Sequence, residues 1–233
     1  FDPERSRMLA EEGDALFAED NFRGALDQYT LGLEYDSTYA RNALGKARAH
    51  FRLGEVTNAI AAYDLTIELG TDEEGEPVAG MTNVIAAAEM EKTRIQENQA
   101  AQASAQELAD KVTRATGLIN AEPLGESAAR TGYDLLEEAR LAGYDSSQVA
   151  YHYAKALNVL GEYEDATHYA TLAVDQSEGQ PDRSAFFIQL GLAHMGAGNT
   201  EEARMAFEAT AGGAWEAWGT HYLGQLEEED AGG

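Results

Sequence analysis

The chain has no cysteine, so neither disulfides nor thiolate-bound metals contribute to it. It has only four prolines, Pro3, Pro77, Pro123 and Pro181, and each falls between stretches of helical pattern rather than inside one. No apolar run approaches the roughly 18 residues that a membrane span needs. The phosphate-cradling glycine loop, the Gly-x-Ser-x-Gly nucleophile elbow and the His-Glu-x-x-His zinc helix are all missing. The five histidines are scattered, and His50 and His194 fall at one shared position of a repeat, which suits packing or groove lining better than ligation. The expectation is a chain with no catalytic residue, no metal and no cofactor.

Positive charge is also scarce. Sixteen Lys and Arg stand against 42 Asp and Glu, for a net charge of -26, and lysine occurs only at 46, 92, 111 and 155. Nucleic acid is excluded as a partner, because its binding depends on cations that neutralise phosphates. Two readings of the acidity remain: a solvated surface suited to high salt, or an acidic face that captures a basic partner. The acids are dispersed, with short runs only at 72–74 and 227–230, and dispersal favours the first. High acidity with scarce lysine is similar to proteins of salt-accumulating halophiles. If that holds, the melting temperature rises between about 0.05 and 2 M salt as self-repulsion is screened. The chain begins at Phe1 rather than Met, so a processed or trimmed product is expected. The compartment stays open between a salt-rich cytoplasm and export with a signal peptide removed.

What the sequence does have is an internal period. Phe17, Asp20, Phe22, Ala25 and Tyr29 recur 34 residues later as Phe51, Gly54, Val56, Ala59 and Tyr63. A fixed period of this length marks stacked two-helix units. Small residues (Gly13, Ala25; Ala47, Ala59) sit where helices must approach closely, and aromatics fill the space beside them. The pattern resembles the tetratricopeptide repeat (TPR), in which a small residue, a turn glycine, an aromatic, an alanine and a second aromatic follow at fixed positions. Units near 6–39 and 40–73 are in register. Those near 147–180 (Ala154, Gly161, Tyr163, Ala166) and 184–213 (Gly191, Gly198, Ala203, Phe207) follow the same pattern. Asp20 replaces the turn glycine of the first unit, and the family's closing proline is missing from all four. The resemblance implies an all-α fold: a right-handed superhelical solenoid of TPR helix pairs, about eleven helices in one domain over 1–233.

The stretch 74–146 departs from the pattern. Between Pro77 and Ile119 there is no break, and the Ala-, Gln- and Glu-rich centre favours helix. One long middle helix, or two nearly collinear ones, is expected to project past the solenoid, with Ala129 and Tyr133 completing a degenerate third unit. Residues 214–228 form a capping helix with Trp215, Trp218, Tyr222 and Leu226 on one stripe, read as packing onto the fifth unit.

In the TPR family, ligands often lie along the concave face. Carried to this sequence, the resemblance places Arg41, Leu44, Arg48, Phe51 and Arg52 on that face of the second unit. It places Tyr151, Lys155 and Asn158, with His152 beside them, on that of the fourth. Three arginines on one face could fork a carboxylate. Alternatively they pair with acids of the preceding unit, such as Asp14 or Glu11. Ala10 and Asp14 stand where chaperone-binding members carry Lys and Asn, so that clamp is absent. The function expected is a non-catalytic module that holds a peptide or protein segment. The alternatives are a structural scaffold that self-associates through the long helix and a part of a cell-envelope assembly.

Overall fold

The computed structural model describes residues 1–180 and 183–232. The described residues are helical with short connections, and the helices are α1 (Pro3–Ala18), α2 (Phe22–Tyr35), α3 (Ala40–Arg52), α4 (Val56–Gly70), α5 (Thr82–Ile119), α6 (Glu126–Leu141), α7 (Ser147–Leu160), α8 (Tyr163–Gln176), α9 (Ser184–Gly196), α10 (Thr200–Glu208) and α11 (Glu216–Gly232). They form two compact units, Phe1–Gln102 and the part from Ala103 onward, with the boundary inside α5.

Local chemistry sets the helix ends. The Asp2 carboxylate accepts from the Arg5 N–H at 3.0 Å, and Pro3 opens α1 where its missing donor costs nothing. Asn21 caps α2 through the Gly24 N–H at 3.1 Å, and Ser146 caps α7 through Val149 at 3.2 Å. The turn inside each repeat needs a left-handed residue, supplied by Gly54 (φ 77°), Gly161 (φ 73°) and Gly198 (φ 78°). In the first repeat the same position is Asp20, at φ 58°. A side chain in this region is strained, though aspartate tolerates it better than most. Asp20→Gly is therefore expected to raise stability by about 0.5 kcal/mol, the gain partly offset by the looser unfolded chain and the lost exposed pair with Arg52. A urea midpoint compared with wild type checks this.

In the first unit the core forms where small residues admit aromatics. Tyr29 is 2% exposed and lies between Gly13 of α1 and Gly45 of α3. A methyl on Gly13 would meet the ring at 2.6 Å, and one on Gly45 at 2.4 Å. Next to it Leu44, Ala47, Ala59 and Tyr63 pack with Ala88 and Ile95 of α5. In the second unit Ile119, Ala129, Leu136, Val149 and Tyr153 form the equivalent core, and Tyr169 stacks on Tyr153 at 4.4 Å.

The middle segment is one continuous 38-residue helix. It starts at Thr82 rather than near Pro77, because residues 70–81 fold into a turn closed by a bridge between Thr71 and Pro77 and by Gly80 at φ 84°. Residues 96–107 are exposed on every face, so their helicity rests on composition rather than packing. As expected, Ala129 is buried and Tyr133 joins the core of the second unit. Pro181 lies outside the described residues.

The reading of the last helix needs correction. Leu226 is buried and Tyr222 stacks on Phe207 at 5.0 Å, but Trp215 and Trp218 remain 39% and 51% exposed. Trp215 precedes the first helical residue, Glu216, and α11 docks through its later turns.

Candidate peptide-binding grooves

Each unit has its own concavity. In the first, a groove of about 460 Å³ is floored by Phe17, Leu44 and Val84 and edged by Asp14, Arg41 and Arg48. Leu44 and Arg48 lie one turn apart on α3, so they share a face. Arg41 and Arg48 are thus brought together as the sequence suggested. Phe51 and Arg52, near the end of α3, do not line the groove. Arg52 instead pairs with Asp20 at 3.1 Å and lies 4.1 Å over the Phe22 ring.

Neither arginine of the groove is free. Arg41 donates to Asp14 Oδ2 at 2.7 Å, while the Tyr29 hydroxyl donates to the other oxygen at 2.7 Å. Arg48 forks Glu91 of α5 through Nε at 3.0 and 3.1 Å and Nη2 at 2.6 Å, while the Tyr63 hydroxyl donates at 2.8 Å. Tyr29 and Tyr63 hold the same place in successive repeats, and each donates to a carboxylate that also pairs with an arginine of α3. Burial pushes the Glu91 carboxyl up, but the bonds from Arg48 and Tyr63 more than offset this and hold it below its ordinary value. Burial, with the bonds to Asp14 and Glu91 respectively, pushes the Tyr29 and Tyr63 phenols up. Asp14 was foreseen as a partner for the arginines. Glu91 was missed, because it lies 43 residues from Arg48 in the degenerate third unit.

In the second unit a cavity of about 310 Å³ is lined by Lys155 and Asn158 with Gln189, and by Val159, Leu192 and Met195. Lys155 Nζ donates to Asn120 Oδ1 at 3.1 Å, and burial lowers its pKa. The Asn158 amide donates to the Gln189 carbonyl and side-chain oxygens, both at 3.0 Å. Tyr151 does not line this cavity and packs edge-on against Phe186.

His152 is a correction. It is 7% exposed and lies inside the packing of α7, and its Nδ1 has no protein partner. Burial, with the Lys155 charge adding, pushes the imidazole down to about 4. A pKa lowered on folding means the unfolded chain binds the proton first. This histidine's contribution is therefore intact above pH 6.5 and is lost progressively as pH falls toward 4. We expect up to about 3 kcal/mol of acid destabilisation from this group. Denaturant midpoints measured across that range should flatten in His152→Phe.

Among the described residues no group of three or more His, Asp or Glu could hold a metal ion. No helix there is long and apolar enough to cross a membrane.

The stacked helix pairs, the small-to-aromatic contacts and the left-handed turn between paired helices make up an all-α fold built of repeated two-helix units. No family model matches the chain, and no curated protein sequence matches it. Solved structures similar to it include two TPR-domain structures and the MamA protein. The TPR2AB-domain:pHSP90 complex of yeast Sti1 aligns over 95% of this chain and 83% of its own, with 14% identity and a TM-score of 0.41. The MamA protein aligns over 89% and 90%, with 16% identity and a TM-score of 0.32. The TPR domain of P58(IPK) aligns over 97% of this chain and 65% of its own, with 12% identity and a TM-score of 0.39.

Proposed function

We propose that the protein is a non-catalytic interaction module that holds a peptide segment of a partner in the groove of its first unit. The observation that carries this reading is the groove itself. An apolar floor of Phe17, Leu44 and Val84 lies between two fixed ion pairs, Asp14–Arg41 and Glu91–Arg48. Because the rim pairs its charges internally, a free anionic or cationic hook gains little there. The fit is to a segment with an apolar side chain for the floor and polar groups for the rim. Rigid walls lower the entropic cost of binding. The same logic extends to the smaller cavity around Lys155 and Asn158. Residues 96–107 carry no apolar seam of the kind a coiled coil requires, so self-assembly through the long helix has less support.

The test is selection from a random peptide library on the full chain, followed by affinity measurement on the selected peptides. Arg41→Gln and Val84→Gln alter the rim and the floor at positions that are not fully buried. Peptides that share an apolar anchor and bind each variant at least tenfold more weakly support the reading. Peptides that bind both variants as tightly as wild type contradict it.

A further inference from the structure

We propose that a second cleft, between α3 and α4, binds a small aliphatic carboxylate. The cleft has about 420 Å³ and is lined by Lys46, His50, Asn58, Ala61, Ala62 and Leu65. Lys46 lies two residues from both Leu44 and Arg48, about 200° around α3, so this cleft opens on the face opposite the groove. It is a different site.

Three observations point to an anion with an apolar body. First, Lys46 is half-buried and has no counter-ion among the described residues, in a chain where acids outnumber bases 42 to 16. An unpaired, partly desolvated ammonium amid such an excess of carboxylates is a cation held open. Second, the acid beside the cleft is already engaged. Glu55 takes His50 Nδ1 at 2.7 Å and Arg23 at 3.0 Å. The bond to Glu55 fixes the His50 ring on the wall of the cleft, beside the Lys46 ammonium. Third, the rest of the wall is alkyl, with Leu65 one turn from Ala61 and Ala62 on α4. A carboxylate beside the Lys46 ammonium would make a charge-assisted bond, and a short branched tail would cover the α4 wall.

The experiment is a titration of the ¹⁵N-labelled full chain with 4-methylpentanoate, with 4-methylpentanamide as the uncharged control. Lys46→Met keeps the alkyl stem and removes the charge, and Lys46→Arg restores it. A melting curve checks that each variant folds. The proposal expects saturable shifts at Lys46, His50 and Leu65 with a Kd near about 1 mM, an ordinary value for so few atoms. It further expects at least tenfold weakening with the amide or in Lys46→Met, and recovery in Lys46→Arg. An N-acetylated dipeptide ending in leucine with a free carboxylate tests the other source of the same chemistry. If that peptide binds and the free acid does not, the small-acid proposal is overturned. It is equally overturned by acid and amide binding alike, by unchanged affinity in Lys46→Met, or by no saturable shift in this cleft.

Discussion

Arg48→Met lowers the stability of the first unit by about 2–3 kcal/mol, although Arg48 looks from the sequence like a binding residue. Glu91 keeps only 18% of its side chain exposed and receives three contacts from the Arg48 guanidinium. Without them a partly buried carboxylate is left with one phenol donor. Removing one partner of a fully buried pair costs about 3–5 kcal/mol. Arg48 is 42% exposed, and water reaching that side reduces the figure. The sign can be checked by pH. A carboxyl held below its ordinary value on folding adds stability that is present above the unfolded pKa and lost as acid protonates it. Wild type should therefore lose this contribution below about pH 4.5, whereas Arg48→Met has already lost it. Arg48→Met combined with Glu91→Gln should recover much of the stability, because no unpaired charge remains. Urea midpoints of the three proteins decide the matter. A change under about 0.5 kcal/mol in the single variant would mark Arg48 as an ordinary surface cation.

Gly45→Val is expected to cost about 3 kcal/mol or more. Even the first carbon of the new side chain would lie 2.4 Å from Tyr29, whose ring cannot retreat because Gly13 closes the other side. Overpacking of a tight core typically costs about 1–3 kcal/mol. The Tyr29 hydroxyl is also tied to Asp14, so displacing the ring disturbs the Asp14–Arg41 pair at the groove rim. The better helix propensity of valine returns only a few tenths of a kcal/mol. Thermal unfolding should show the loss, and adding Tyr29→Leu should restore part of it by making room.

These two sites show which features the sequence carried plainly. The 34-residue offset superimposes Tyr29 on Tyr63 and Asp20 on Gly54, so the helix pairs, their close contacts and their left-handed turns were legible before any coordinates. Arg41 was recognisable as a groove residue, and its partner Asp14 lies in a repeat that is in register. Glu91 was not recognisable. It belongs to a repeat whose second helix is displaced by the length of α5, so no fixed offset relates it to Arg48. The boundary at Gln102–Ala103 was equally hidden, because it falls within an unbroken helix that has no proline or glycine to mark it. His152 was misplaced because one step along a helix turns a side chain by about 100°, which separates a buried position from a lining one. Trp215 and Trp218 were assigned to the interior because helical spacing puts them on one stripe with Tyr222 and Leu226, but Trp215 precedes the first helical residue, Glu216.

The most direct test of the central claim is amide hydrogen exchange of the full chain with and without a library-selected peptide. Binding in the first groove predicts added protection in α1 around Asp14–Phe17, in α3 from Arg41 to Arg48, and at the start of α5 near Val84. Protection confined to residues 96–107, or to the exposed tryptophans of the last helix, would contradict it.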